Sequence, residues 1–242
     1  MRWLCVMLIF LGMSQQVRAE DAKTPAPLVV LIGGLDSDPT PAQIEGTAQR
    51  GVGNSGMFQL AGDLKEHALE CCYFNWNGTT AGDINVEMPP LSDGIAQHIR
   101  TTCERVRPTQ LIVVGNSWGG HTACEVCDLL NAEPKVSIDL LVLLDPSSTG
   151  RTTPVPKSLP ENVKVARNYS TRNVFAWGKW IAEPRITFVD LGDPEAGFLR
   201  DPYHYDSKFD FQAHVAAEWD MKIHRDIQQR ILDLRAPTEV AE

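Results

Sequence analysis

The sequence predicts an α/β protein, a mostly parallel sheet of about six strands with helices on both faces in three layers. Two observations carry this. Short β-rich runs alternate along the chain with amphipathic helical stretches, and in the middle a strand, a sharp turn and a helix follow one another without a break from Leu111 to Asn131. Taken in order, Leu28 to Ile32 is an apolar strand ending in Gly33-Gly34. Met57, Leu60, Ala61, Leu64 and Ala68 share one helical face, and Cys71 to Asn75 is the next strand. Pro89-Pro90 breaks the chain and Ser92 can cap a helix whose buried side is Ile95, Ile99, Thr102 and Val106, with Pro108 ending it. Leu111 to Val114 is a strand, and a helix runs from His121 to Asn131. Ile138 to Leu144, Val163 to Tyr169 and Ile186 to Leu191 read as further strands. Ile223, Ile227, Ile231 and Leu234 line the last helix. There is no internal repeat and no low-complexity linker, although the loop from Pro146 to Pro160 is rich in Pro, Ser and Thr.

Met1 and Arg2 precede an apolar run from Trp3 to Met13, and Val17-Arg18-Ala19 carries small residues where a signal peptidase reads. Residues 1–19 are therefore expected to be a signal peptide, and residues 20–242 a single domain. The run is too short for a stable membrane anchor, so the expected location is secreted or periplasmic. The formal charge of −9 becomes −11 when the two arginines of residues 1–19 leave. Such an acidic surface repels phosphate backbones and anionic lipid, which argues against a nucleic-acid partner. Five cysteines remain beyond that segment, an odd number that leaves at least one thiol unpaired. Cys124 and Cys127 form a C-x-x-C, but they interleave with Ala123, Val126 and Leu130 on an apolar helical face and are expected in the core rather than on a metal or in redox chemistry. Asn77-Gly78-Thr79 and Asn168-Tyr169-Ser170 fit the N-glycosylation pattern.

Gly115-Asn116-Ser117-Trp118-Gly119-Gly120 is the most informative segment. It has the G-x-S-x-G form, follows a strand of four branched residues and opens a helix. That context is what a nucleophile elbow requires, since the turn presents the serine hydroxyl above the sheet while small flanking residues let strand and helix pass closely. On these residues the chain resembles the α/β-hydrolase superfamily. The resemblance spans nearly the whole mature chain in element order, with its specific motifs confined to short stretches. It implies a three-layer hydrolase sandwich and a triad of serine, acid and histidine in that chain order.

Ser117 is the candidate nucleophile. Asp145 is the candidate acid, because the run Leu140 to Leu144 leads straight into Asp145-Pro146, and side chains just past a strand end project into the crevice at the carboxyl edge of a parallel sheet. Some lipases and thioesterases of the superfamily carry their acid here; Asp190 and Asp193 are the alternatives. The candidate base is His214, expected on a loop just before the last helix, with His204 as the alternative. Trp118 follows the nucleophile and should supply one oxyanion N–H. The resemblance places the second donor in the loop Gly33-Gly34-Leu35-Asp36, at Leu35 or else Gly34, with Gly33 standing where the superfamily commonly has histidine.

These residues imply two-step acyl transfer to water with no metal and no organic cofactor. The expected substrate is a small-molecule or lipid ester, which makes the chain an esterase, lipase or thioesterase. Only 17 residues separate Asp145 from the next strand, too few for the helical lid of many superfamily members, so no large cap domain is expected. Phe198, Tyr203, Tyr205, Phe209 and Phe211 lie on the approach to His214 and are candidates for an acyl pocket. Two other classes fit the same scaffold: an amide-cleaving serine hydrolase, and a non-catalytic binding protein.

Overall fold

The computed structural model describes residues 26–35, 37–49, 51, 53–76, 92–148, 158–174, 183–198 and 203–235. The segment expected to be a signal peptide, Pro89-Pro90 and the Asn77 glycosylation pattern lie outside the described residues.

Six strands form one sheet: β1 (Leu28–Gly33), β2 (Glu70–Asn75), β3 (Leu111–Asn116), β4 (Ile138–Leu144), β5 (Val163–Ser170) and β6 (Ile186–Asp190). Their order is β2-β1-β3-β4-β5-β6, and every neighbouring pair is parallel. Between strands run the helices α1 (Pro41–Ile44), α2 (Gly56–Glu66), α3 (Ser92–Val106) and α4 (Trp118–Asn131), and after β6 come α5 (Phe211–Glu218) and α6 (Met221–Arg235). The strand residues alternate between two cores, as a pleat of period two demands. Val29, Leu31, Ile112, Val114 and Val142 pack with α2, α5 and α6, and Leu28, Val30, Ile32, Val113 and Leu143 pack with α3 and α4 on the other face. Three layers result, with fully buried strands of Val, Leu and Ile at the centre, as an all-parallel sheet requires.

The register aligns the carboxyl ends. Gly33 pairs with Asn75, Asn116 with Leu144, and Ser170 with Asp190, so the residues that follow each strand share one edge of the sheet. Across the layer, Arg167 and the Tyr169 hydroxyl both donate to the Asp226 carboxylate, tying β5 to α6.

Several local expectations change. Ser92 is the first residue of its helix rather than a cap, and Val106, at its far end, is exposed. Ala68 lies beyond α2, in a left-handed turn at φ 58° that reverses the chain into β2. Two short helices were not expected. Thr40 and Gln43 bond each other reciprocally to start α1, and Asp210 accepts from the Ala213 N–H to start α5. Cys124 and Cys127 are buried between α4 and the sheet as expected, and all five cysteines of the described residues carry free thiols. Burial pushes the Cys124 thiol well up, which makes it inert packing. Asn168 has no exposed surface in the middle of β5, so its glycosylation pattern is closed in the folded protein.

Candidate active site

Ser117 sits between β3 and α4 at φ 52° and ψ −121°, a conformation that a side-chain-bearing residue adopts only when its surroundings enforce it. They do. Its N–H donates to the Leu144 carbonyl at 2.9 Å, and its own carbonyl accepts from Gly120 and Ser147, each at 3.0 Å. Close passage of helix and strand is enforced at Gly119, where a Cβ would stand 2.3 Å from the Ile32 carbonyl oxygen. The serine side chain is thereby lifted off the carboxyl edge of the sheet.

Asp145 follows β4 on the same edge and is also left-handed, at φ 44°. Its carboxylate is fully buried and triply held. One oxygen accepts from the Thr171 N–H at 2.9 Å; the other accepts from the Thr171 hydroxyl at 2.7 Å and stands 2.7 Å from His214 Nδ1. His214 Nε2 in turn lies 2.8 Å from Ser117 Oγ. An ionised carboxylate can only accept, so the imidazole proton belongs on Nδ1, which leaves Nε2 free to accept from the serine hydroxyl. Ser117, His214 and Asp145 thus form one continuous hydrogen-bonded chain across residues 97 and 69 positions apart in sequence.

The setting of the histidine differs from the expectation. His214 lies inside α5, in its second turn, and not on a loop. Asp210 caps that helix one turn earlier, so the imidazole is aimed from a rigid element. The alternatives have other duties. Asp190 pairs with Arg172, Asp193 caps the 3₁₀ turn Pro194–Ala196, and His204 is exposed, its backbone N–H on Asp210.

Trp118 opens α4 directly after the nucleophile, so its N–H has no acceptor within the helix. The other candidate donors also border the serine: a Cβ on Gly34 would lie 3.0 Å from Ser117 Cβ, and Gly34 and Leu35 line the same cavity. The absent histidine at Gly33 has a physical reason, since a Cβ there would meet the Tyr73 hydroxyl at 2.1 Å. That hydroxyl donates to the Ser37 carbonyl at 2.6 Å and steadies the loop in place of a side chain at 33.

The cavity beside Ser117 holds about 440 Å³. Leu35, Trp118, Phe211, Val215 and Trp219 give it apolar walls, while Ser37, Asn54 and Glu218 supply polar groups. Of the expected aromatic cluster only Phe211 lines it. Tyr205 and Phe198 are buried in the core, Tyr203 packs against that core, and Phe209 projects into solvent. Glu218 was not foreseen at all. It is buried four residues after His214, accepts from Ser37 Oγ and from the N–H groups of Gly56 and Met57, and has its carboxyl pushed up by burial against the pull of those donors. Among the described residues, no group of three or more His, Cys, Asp or Glu side chains is arranged to hold a metal ion.

Sheet order, strained serine turn and the hydrogen-bonded chain behind it are together the arrangement of the α/β-hydrolase fold. No family model matches the sequence, and no curated protein does. Solved structures do align with it. A candidate cell-surface hydrolase from Lactobacillus plantarum is 12% identical over 89% of this chain and 95% of its own, with a TM-score of 0.49. Mouse alpha/beta hydrolase domain-containing protein 10 is 12% identical over 88% and 91%, at 0.45. A serine hydrolase without a lid from Xanthomonas campestris is 14% identical over 88% and 84%, at 0.42. Likeness at that level leaves the question of activity to the side chains.

Proposed function

We propose that this protein is an exported serine hydrolase of the α/β-hydrolase type that cleaves carboxylic esters through an acyl-enzyme. The observation that carries the reading is the chain Ser117 Oγ to His214 Nε2 at 2.8 Å and His214 Nδ1 to Asp145 at 2.7 Å, beginning at a serine held at φ 52°. In the proposed reaction His214 takes the serine proton as Ser117 Oγ attacks the ester carbonyl carbon. Asp145 holds the imidazole in its Nδ1–H form and offsets the positive charge that it acquires. The oxyanion lies between the Trp118 N–H and the N–H of Leu35 or Gly34, donors fixed before the charge develops. Collapse expels the alcohol, which leaves with the proton from His214. Water then enters, gives its proton to His214, and releases the acid from Ser117 by the same steps. Apolar walls around the serine suit a neutral acyl group, and residues 1–19 are proposed to direct export.

A fluorophosphonate tests this. Intact and peptide mass spectrometry of the treated protein is expected to show a single adduct on Ser117, absent from Ser117→Ala. Folded wild-type protein that takes up no label would overturn the reading and favour a binding protein on this scaffold. Given an adduct, comparing matched ester and amide substrates separates an esterase from an amide-cleaving hydrolase.

A further inference from the structure

Glu218 is a buried carboxylate with no part in the reaction above, yet it lines the same cavity as Ser117 and His214. Its side chain bridges two elements that are far from it in sequence. One oxygen accepts from the Gly56 and Met57 N–H groups at 3.0 and 3.2 Å, on the first turn of α2, where a helix presents unpaired donors and a partial positive charge. The other oxygen accepts from Ser37 Oγ at 3.1 Å, two residues beyond Leu35. The backbone is held as tightly. The Glu218 carbonyl accepts from His224 Nε2 at 2.7 Å, and α2 presses so closely that a Cβ on Gly56 would fall 2.2 Å from that carbonyl oxygen. Ser37 is itself fixed from the other side, its carbonyl receiving the Tyr73 hydroxyl.

Four residues separate His214 from Glu218, one turn of α5, so a clamp on Glu218 is a clamp on the imidazole. The loop after β1 carries the second candidate oxyanion donor, and Ser37 anchors that loop to the same carboxylate. Base and candidate donors belong to separate elements, and Glu218, on the helix of the base, bonds Ser37 on the loop of the donors across 181 positions of chain. We infer that Glu218 is a positioning residue, setting the distance between His214 and the oxyanion loop that carries Gly34 and Leu35. This rests on the hydrolase reading of the site.

Two substitutions separate geometry from charge. In Glu218→Gln the amide oxygen keeps both backbone N–H bonds, and the Ser37 hydroxyl turns to accept from the amide nitrogen, so the frame survives without the charge. Glu218→Ala removes the frame. The rate of fluorophosphonate labelling at Ser117, and kcat and KM on a simple ester, are measured on variants whose thermal unfolding shows them folded. Positioning predicts that Glu218→Ala loses tenfold or more in labelling rate and kcat, and that Glu218→Gln recovers most of that loss. If Glu218→Ala does not fold, Ser37→Ala carries the test, with an expected loss of threefold or more in labelling rate at unchanged unfolding temperature. A folded Glu218→Ala, or failing that Ser37→Ala, that labels at the wild-type rate overturns the inference. So does a Glu218→Gln as slow as Glu218→Ala, because the charge would then be what matters. Failure of the wild type itself to label would instead count against the hydrolase reading.

Discussion

Ser117 and Asp145 both stand at positive φ, at the ends of adjacent strands, and the strain at each is on the order of 1–3 kcal/mol. The surrounding hydrogen bonds and packing hold it there, and the two side chains consequently meet one imidazole. Asp145→Asn is expected to lower kcat by about 10⁴-fold, because an amide can donate to Nδ1 and so favours the wrong tautomer; steady-state ester kinetics on the folded variant check this. Gly34→Ala places a methyl 3.0 Å from Ser117 Cβ and 3.2 Å from the Asn116 side chain, and a drop in kcat on the order of tens-fold is expected with little change in unfolding temperature. Glu218 gives a signed pH effect. Burial raises its carboxyl above the unfolded value, so the native state holds that proton more tightly. The stability contributed is present below the unfolded value and is lost as pH rises through the folded one. The stability of wild type minus that of Glu218→Gln should therefore shrink from about pH 4 upward, as measured by urea unfolding across a pH series.

At the scale of elements, what the sequence reveals depends on how local the cause is. The turn at Ser117 is legible because a strand, a tight turn and a helix are contiguous, and Asp145 is legible because Pro146 stops a continuous apolar run. His214 is found from its place in the chain, but its setting is not, since the Asp210 cap that turns the segment into α5 looks like any polar loop residue. Thr171, Ser37 and Glu218 leave no local trace at all. Their meaning lies in bonds spanning 26 to 181 positions, which only the folded sheet creates. Ala68 and Val106 follow helical spacing beyond the point where the helix turns away or meets solvent. Contact between α4 and β1 is equally specific. Gly119→Ala would drive a Cβ into two strand carbonyls, at 2.3 and 2.4 Å, and should cost about 3 kcal/mol, read from the urea midpoint.

For the molecule as a whole, one sheet serves two separate cores. Ile227 belongs to the layer with α6 and Ile99 to the layer with α3, both with no exposed surface. Each change to Ala should cost about 2–5 kcal/mol, and the double variant should equal their sum within about 0.5 kcal/mol in equilibrium unfolding, since the strands keep the two sites apart. Thiol chemistry follows the same layers. Burial raises the Cys103 thiol too, but Cys103 is partly exposed, whereas the buried Cys71 is pushed up to about 12 and Cys72 to about 11. Alkylation of the native protein at neutral pH should reach Cys103 first and the other four only on unfolding, as peptide mapping would reveal. Asn168 obeys this geometry too. Its side chain sits at zero exposure in β5, so an enzyme that adds sugar could reach it only before that strand docks between β4 and β6. In a host that glycosylates exported chains, a glycan at Asn168 would then record the order of events during synthesis: any molecule bearing one was captured while its sheet was still open.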